Sequence, residues 1–182
     1  MSRRLSSPWL AVPLAGVPFV VQATQYLSVE QAQRVLFPTA TAWAPQPLEI
    51  SDDQAHAIEQ ASGVEVVNRR PTAWRALAGE TPLGTLFVDQ VYGKHELITY
   101  ALAVTADGQV AGVEILDYRE THGDEVRQPR WRAQFVGKKA SDAVKLGRDI
   151  QNISGATLSC RHLTDGVRRL LATQRLLLAT TP

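Results

Sequence analysis

Cysteine is almost missing from this sequence: Cys160 is its one thiol. That excludes an intrachain disulfide and any zinc site built from CxxC pairs, so the fold must stand on packing alone. No excess of either charge is present. Nineteen Lys and Arg against 18 Asp and Glu, interspersed along the chain, leave a net charge of +1, which excludes the basic footprint of a nucleic-acid binder. Several motifs are absent as well. Without GxxxxGK[ST], or a GxGxxG after a strand, ordinary nucleotide and dinucleotide binding is disfavoured. His56, His95 and His162 show no HxxxH or HExxH spacing, so no metal site is indicated. Nothing around Ser154 matches GxSxG, which argues against a serine hydrolase.

What is present suits one domain, since a chain of 182 residues with 45% hydrophobic content can bury a sizeable core. Its first residues have the layout of an export signal: Arg3 and Arg4, an apolar run from Trp9 to Val21, then Val21-Gln22-Ala23 as a cleavage site. The run is short for a membrane span, and Pro8, Pro13 and Pro18 weaken it as a helix. The expectation is a signal peptide over 1–23 and a mature domain over 24–182, with an uncleaved anchor or a buried Pro-rich strand as alternatives.

Beyond the leader, Ser28 with Gln31 and Ser51 with Gln54 stand at capping-box spacing. They predict two helices, the first ended by Pro38 and the second closed by Gly63, with a Pro-containing connection at Pro45 to Pro47 between them. The centre changes period. "AWRALAG", "GTLFVDQVYG", "ELITYALAVT" and "QVAGVEILDY" are rich in β-branched and aromatic residues and bounded by turn residues, which predicts consecutive antiparallel strands with a hairpin at Ala106 to Gly108. A long polar stretch from Arg119 to Asp149 is too extended for an ordinary connection and is expected to be functional or to carry a short helix. Leu163, Val167, Leu170, Leu171 and Leu177 then recur near helical spacing, predicting a C-terminal helix packed on the sheet. Helices flanking a run of strands define an α+β class.

The chemistry centres on Ser154-Gly155-Ala156-Thr157. Gly155 permits a sharp bend, and Thr157 falls at the start of the terminal helix, where backbone N–H groups lack intrahelical partners. Two readings stand on the residues alone: Thr157 caps the helix, or the N–H groups around Leu158, Ser159 and Cys160 and the positive helix end hold an anionic phosphate on or beside Thr157.

"NISGATLS" resembles the flavinylation motif of the FMN-binding domain family, which includes the flavin-carrying subunits of the Rnf complex and of sodium-translocating NADH:quinone reductase. The resemblance extends over roughly Val88 to Leu171, through a Gly-bounded hairpin, the turn Glu120-Thr121-His122-Gly123, and the later aromatic segment with Trp131, Gln134 and Phe135. It implies that Thr157 carries FMN through a phosphoester bond, installed from FAD by a flavin transferase of the ApbE type, and that the turn lies near the flavin. The family commonly has an acidic residue six positions before the modified threonine; here that position is Gln151, with Asp149 two residues earlier.

Other residues carry two readings each. His122 hydrogen-bonds the flavin or is a solvated loop histidine. Trp131 and Phe135 share a helical face and either cover the flavin ring or pack on the sheet. Arg132, Lys138 and Lys139 balance phosphate or reduced-flavin charge, or are simply solvated. Cys160 is a redox thiol at a helix start or a buried small residue. The resulting expectation is an exported electron-transfer flavoprotein, working between membrane or periplasmic redox proteins, with no dedicated catalytic acid or base. Alternatives are a flavin-dependent reductase of a small molecule and a noncovalent FMN-binding or assembly module.

Overall fold

A computed structural model describes residues 24–120 and 122–179. The expected signal peptide over 1–23 and the turn residue Thr121 lie outside the described residues. Among the described residues, six antiparallel strands form one sheet in the order β1-β6-β5-β4-β3-β2. They are β1 (Thr24–Gln25), β2 (Ala42–Pro45), β3 (Thr72–Ala78), β4 (Thr81–Tyr92), β5 (Leu97–Thr105) and β6 (Val110–Tyr118). Helices α1 (Val29–Leu36) and α2 (Asp52–Ser62) precede the four long strands. After them come a 3-10 turn (Asp124–Arg127), the one-turn helix α3 (Pro129–Arg132), a second 3-10 turn (Ala133–Phe135) and α4 (Thr157–Thr173), which runs on as a π turn (Gln174–Leu178). This is the expected α+β architecture, with the C-terminal helix beginning at Thr157.

Both capping boxes form. Ser28 Oγ accepts from Gln31 N–H (3.3 Å) while Gln31 Oε1 accepts from Ser28 N–H (2.7 Å), and Ser51 with Gln54 repeats the exchange at 3.3 and 3.0 Å. Gly63 ends α2 in the left-handed region, at φ 66°. β2 departs from expectation: it forms in residues to which no element was assigned and ends on Pro45, the first residue of the stretch read as a Pro-containing connection. Pro45 is tolerated there because, among the described residues, β2 is the outermost strand and pairs only with β3, so the missing N–H faces no second neighbour among them.

The central strand β5 explains the layering. Ile98, Tyr100, Leu102 and Val104 belong to the core that contains Leu163, Val167, Leu170 and Leu171 of α4. The alternate residues Ala101 and Ala103 join Ala32 of α1, with Leu86 and Leu116, on the other face. Period-two alternation thus puts bulk under the long helix and alanines under the short one. A third cluster, Ile50, Ala55, Ile58 and Val66, seats α2 against Ala172 of α4. Each fully buried Leu or Ile stabilises by about 1.5–3 kcal/mol, so α4 is held firmly along its length and its first turn is a fixed platform.

Candidate functional site

The platform is reached through a tightly held loop. Gln151 has both backbone groups bound: its N–H donates to Gln134 Oε1 (2.8 Å) and its carbonyl accepts from Trp131 Nε1 (2.7 Å). Ile153 C=O then accepts Ala156 N–H at 3.1 Å around Gly155, whose φ is 90°. That closes a turn whose third residue must have positive φ. The first main-chain bond of α4 runs from Cys160 N–H to Ala156 O (2.9 Å), so the Cys160 amide, expected among the phosphate donors, is taken by the helix itself, while the N–H groups of Thr157, Leu158 and Ser159 are left without an intrahelical acceptor. Ala156 occupies the N-cap position and supplies no side-chain cap. Thr157 therefore does not cap its helix. Its exposed hydroxyl instead accepts a hydrogen bond from Asn152 Nδ2 at 3.0 Å.

The turn after β6 is pinned against this helix start. Tyr118 O–H donates to His122 O (2.6 Å) and lies 3.2 Å from the buried Ser159 Oγ. Burial, together with the charges of Glu120, Asp124 and Glu125, pushes the phenol above its ordinary value, against the opposing pull of the Ser159 hydrogen bond. Tyr118 thus stays a hydroxyl donor. Gly123, at φ 88°, lets the turn approach: a Cβ there would sit 2.8 Å from Tyr118 Oη and 3.4 Å from Ala156 Cα.

Glu120 reaches in the other direction. Its Oε1 accepts from the backbone N–H groups of Lys94, His95 (2.5 Å) and Glu96 (3.0 Å) at the tip of the β4–β5 hairpin. Burial opposes ionisation of this carboxyl, but those three donors and the neighbouring His95 outweigh it and hold Glu120 below the usual range. Gly93 makes the clamp possible, since a Cβ there would lie 2.5 Å from Glu120 Oε1. On the far side, His162 of α4 lies with Nδ1 at 2.6 Å from Tyr92 O and 3.2 Å from Gly93 O. Two carbonyl partners require Nδ1 to carry the proton. Hairpin, turn and helix start are therefore one braced unit.

Between them lies a cleft of about 220 Å³ lined by Lys94, His95, Glu120, His122, Gly155, Ala156, Thr157, Leu158 and Ser159. The turn and the Ser-Gly-Ala-Thr loop are thus brought together, and Ser154 sits exposed in the same bend. Lys94 and His95 enter unannounced by any local motif; their only sequence signal is a charged tip between two strand patterns. Trp131, Gln134, Phe135 and Lys138 lie outside the cleft. Trp131 and Phe135 pack edge to face in the core (centroids 5.2 Å apart), Gln134 and Trp131 hold Gln151, and Lys138 pairs with Asp149 at 3.3 Å. Asp149 also accepts from Val144 N–H (3.0 Å) and Lys145 N–H (2.7 Å), so its carboxylate is committed away from Thr157. Arg132 pairs with Glu114 and donates to Val113 O (2.6 Å). Lys139 stands at the bridge to Gln109. Cys160 is fully buried and burial pushes its thiol up, which removes the redox reading.

An α+β domain with an anion-ready helix start facing a braced turn is the class of protein that the fold and cleft define, and the comparisons agree. Residues 93–172, which include the hairpin tip, the turn, the loop and nearly all of α4, match the family model of the FMN-binding domain. Among solved structures, the fold is shared with the crystal structure of Shewanella oneidensis NqrC, at 17% identity and a TM-score of 0.51, over 74% of this chain and 80% of that one. No curated protein matches. The residues of the cleft fit an FMN phosphate: N–H groups without an intrahelical acceptor, the positive end of a 17-residue helix, Lys94 and His95, and at its edge Leu158, 40% exposed.

Proposed function

We propose that Thr157 carries FMN through a phosphoester bond and that the protein passes electrons between redox proteins outside the cytoplasm. The observation that supports this is an exposed Thr157 hydroxyl, free of capping duty, beside the N–H groups of Thr157, Leu158 and Ser159, which have no acceptor within the helix. Those N–H groups would hold the phosphate, Lys94 would add positive charge, and Leu158 would offer apolar surface to the ring. When bound, FMN supplies the redox chemistry. The chain's part is to orient it on a rigid helix end, with Glu120 and Tyr118 keeping the cleft walls in place. Donor and acceptor are read as membrane or periplasmic redox proteins, and export as the task of residues 1–23. Covalent attachment suits such a location, because a cofactor lost there is not readily replaced from the cytoplasm.

Intact mass tests the attachment. Protein produced with an ApbE-type flavin transferase and FAD should gain an FMN-sized increment that is absent without the transferase and absent in Thr157→Ala. Unchanged mass with active transferase overturns it. For export, a mature N-terminus at Thr24 is the expected result, and an intact Met1 in exported protein rules out cleavage.

A further inference from the structure

We propose that Asn152 is a positioning residue for the Thr157 hydroxyl, holding Oγ1 so that its proton and its second lone pair face outward for joining to phosphate. This rests on the reading of Thr157 as the attachment residue.

The Asn152 amide donates to Thr157 Oγ1 at 3.0 Å. A hydroxyl has one hydrogen and two lone pairs, so accepting from Asn152 occupies one lone pair and leaves the hydrogen free. A helical threonine otherwise turns its hydroxyl back to the carbonyl four residues earlier. Here Thr157 is the first residue of α4, and Ile153, four residues earlier, lies in the preceding turn rather than in the helix. Although both side chains are exposed, Asn152 stands on a fixed base, because the adjoining Gln151 is bound at N–H and C=O by Gln134 and the buried Trp131. The nearest upstream carboxylate in sequence, Asp149, is held by Lys138, Val144 and Lys145. Thr157 is therefore met by a neutral donor and by no carboxylate of its own loop.

In the transfer, Thr157 Oγ1 attacks the phosphorus of the FMN half of FAD. An Oγ–P bond forms, the phosphoanhydride bond to the AMP half breaks, AMP leaves, and the hydroxyl proton passes to a base of the transferase. No electrons move. Asn152 selects the reactive rotamer and stabilises charge gathering on Oγ1, a contribution worth one exposed neutral hydrogen bond, or roughly three- to tenfold in rate.

The test follows flavinylation by intact mass over time, with purified transferase, FAD and increasing amounts of the full chain, beside a melting curve for each variant. Asn152→Ala should lower kcat roughly three- to tenfold while leaving KM for the chain and Tm unchanged. Asn152→Asp, equal in shape but only an acceptor at neutral pH, should be as slow or slower. Wild-type rates in Asn152→Ala, or a change confined to KM or Tm, overturn the inference. A wild-type rate in Asn152→Asp overturns the donor role. If the wild-type chain gains no FMN mass, the attachment reading falls and this inference with it; if wild type and Asn152→Ala gain mass equally fast, only the inference falls.

Discussion

Removing the Glu120 carboxylate should loosen the hairpin tip and with it one wall of the cleft. In the folded chain a single oxygen gathers the N–H groups of Lys94, His95 and Glu96. One charge-assisted hydrogen bond contributes about 1.5–3 kcal/mol. Three donors on one oxygen do not add, and water can replace part of the clamp at an exposed tip, so Glu120→Ala should cost about 2 kcal/mol in total. For a domain of this size that is a fall in Tm of about 4–8 °C. Glu120→Gln keeps an oxygen but loses the charge, and should cost about half as much. Hydrogen exchange reads the effect locally: protection of the Lys94, His95 and Glu96 amides should drop on the order of 30-fold in Glu120→Ala, as about 2 kcal/mol requires. The pH dependence has a fixed sign. Glu120 is held below its ordinary value in the fold, so near pH 4 the unfolded chain binds more protons than the folded one. The clamp's contribution is present in full above the unfolded value of about 4.3 and is lost as pH falls through the lower folded value. The stability gap between wild type and Glu120→Gln should accordingly shrink between about pH 5 and pH 3. A gap that stays constant over that window, or unchanged exchange at 94–96, refutes the clamp.

Two further expectations concern the platform. Asp89, 2% exposed, pairs with Arg169 of α4 at 2.6 Å and also accepts from Asn68 Nδ2 at 2.8 Å, so Asp89→Asn strands a buried guanidinium and should cost about 3–5 kcal/mol by urea unfolding; a loss below about 1 kcal/mol would show that the pair is solvated. Cys160 should resist alkylation at pH 8 in the native protein and react at once in denaturant, and rapid native labelling would contradict its burial.

Much of the scaffold was legible because its signals are local. A capping box spans four residues, a strand shows its faces within six, and the C-terminal helix repeats its leucines every turn, so α1, α2, β3 to β6 and α4 could be read without knowing what lay opposite. The edge strand β2 was not legible: four residues ending in Pro45 carry the signal of a loop, and only pairing with β3 makes them a strand.

The candidate site divides the same way. The Ser-Gly-Ala-Thr run by itself announced a bend and a helix start, because each follows from backbone conformation over a few residues. Whether Thr157 capped that helix was open until the fold put Ala156 at the cap and Asn152 on the hydroxyl. Lys94 and His95 joined the cleft because Glu120, more than twenty residues away, binds their amides. Trp131 and Gln134 proved to brace the loop from behind. A cleft is a property of strand register and helix packing, set by contacts between residues distant along the chain, and side-chain chemistry read in order along a sequence contains no measure of those distances.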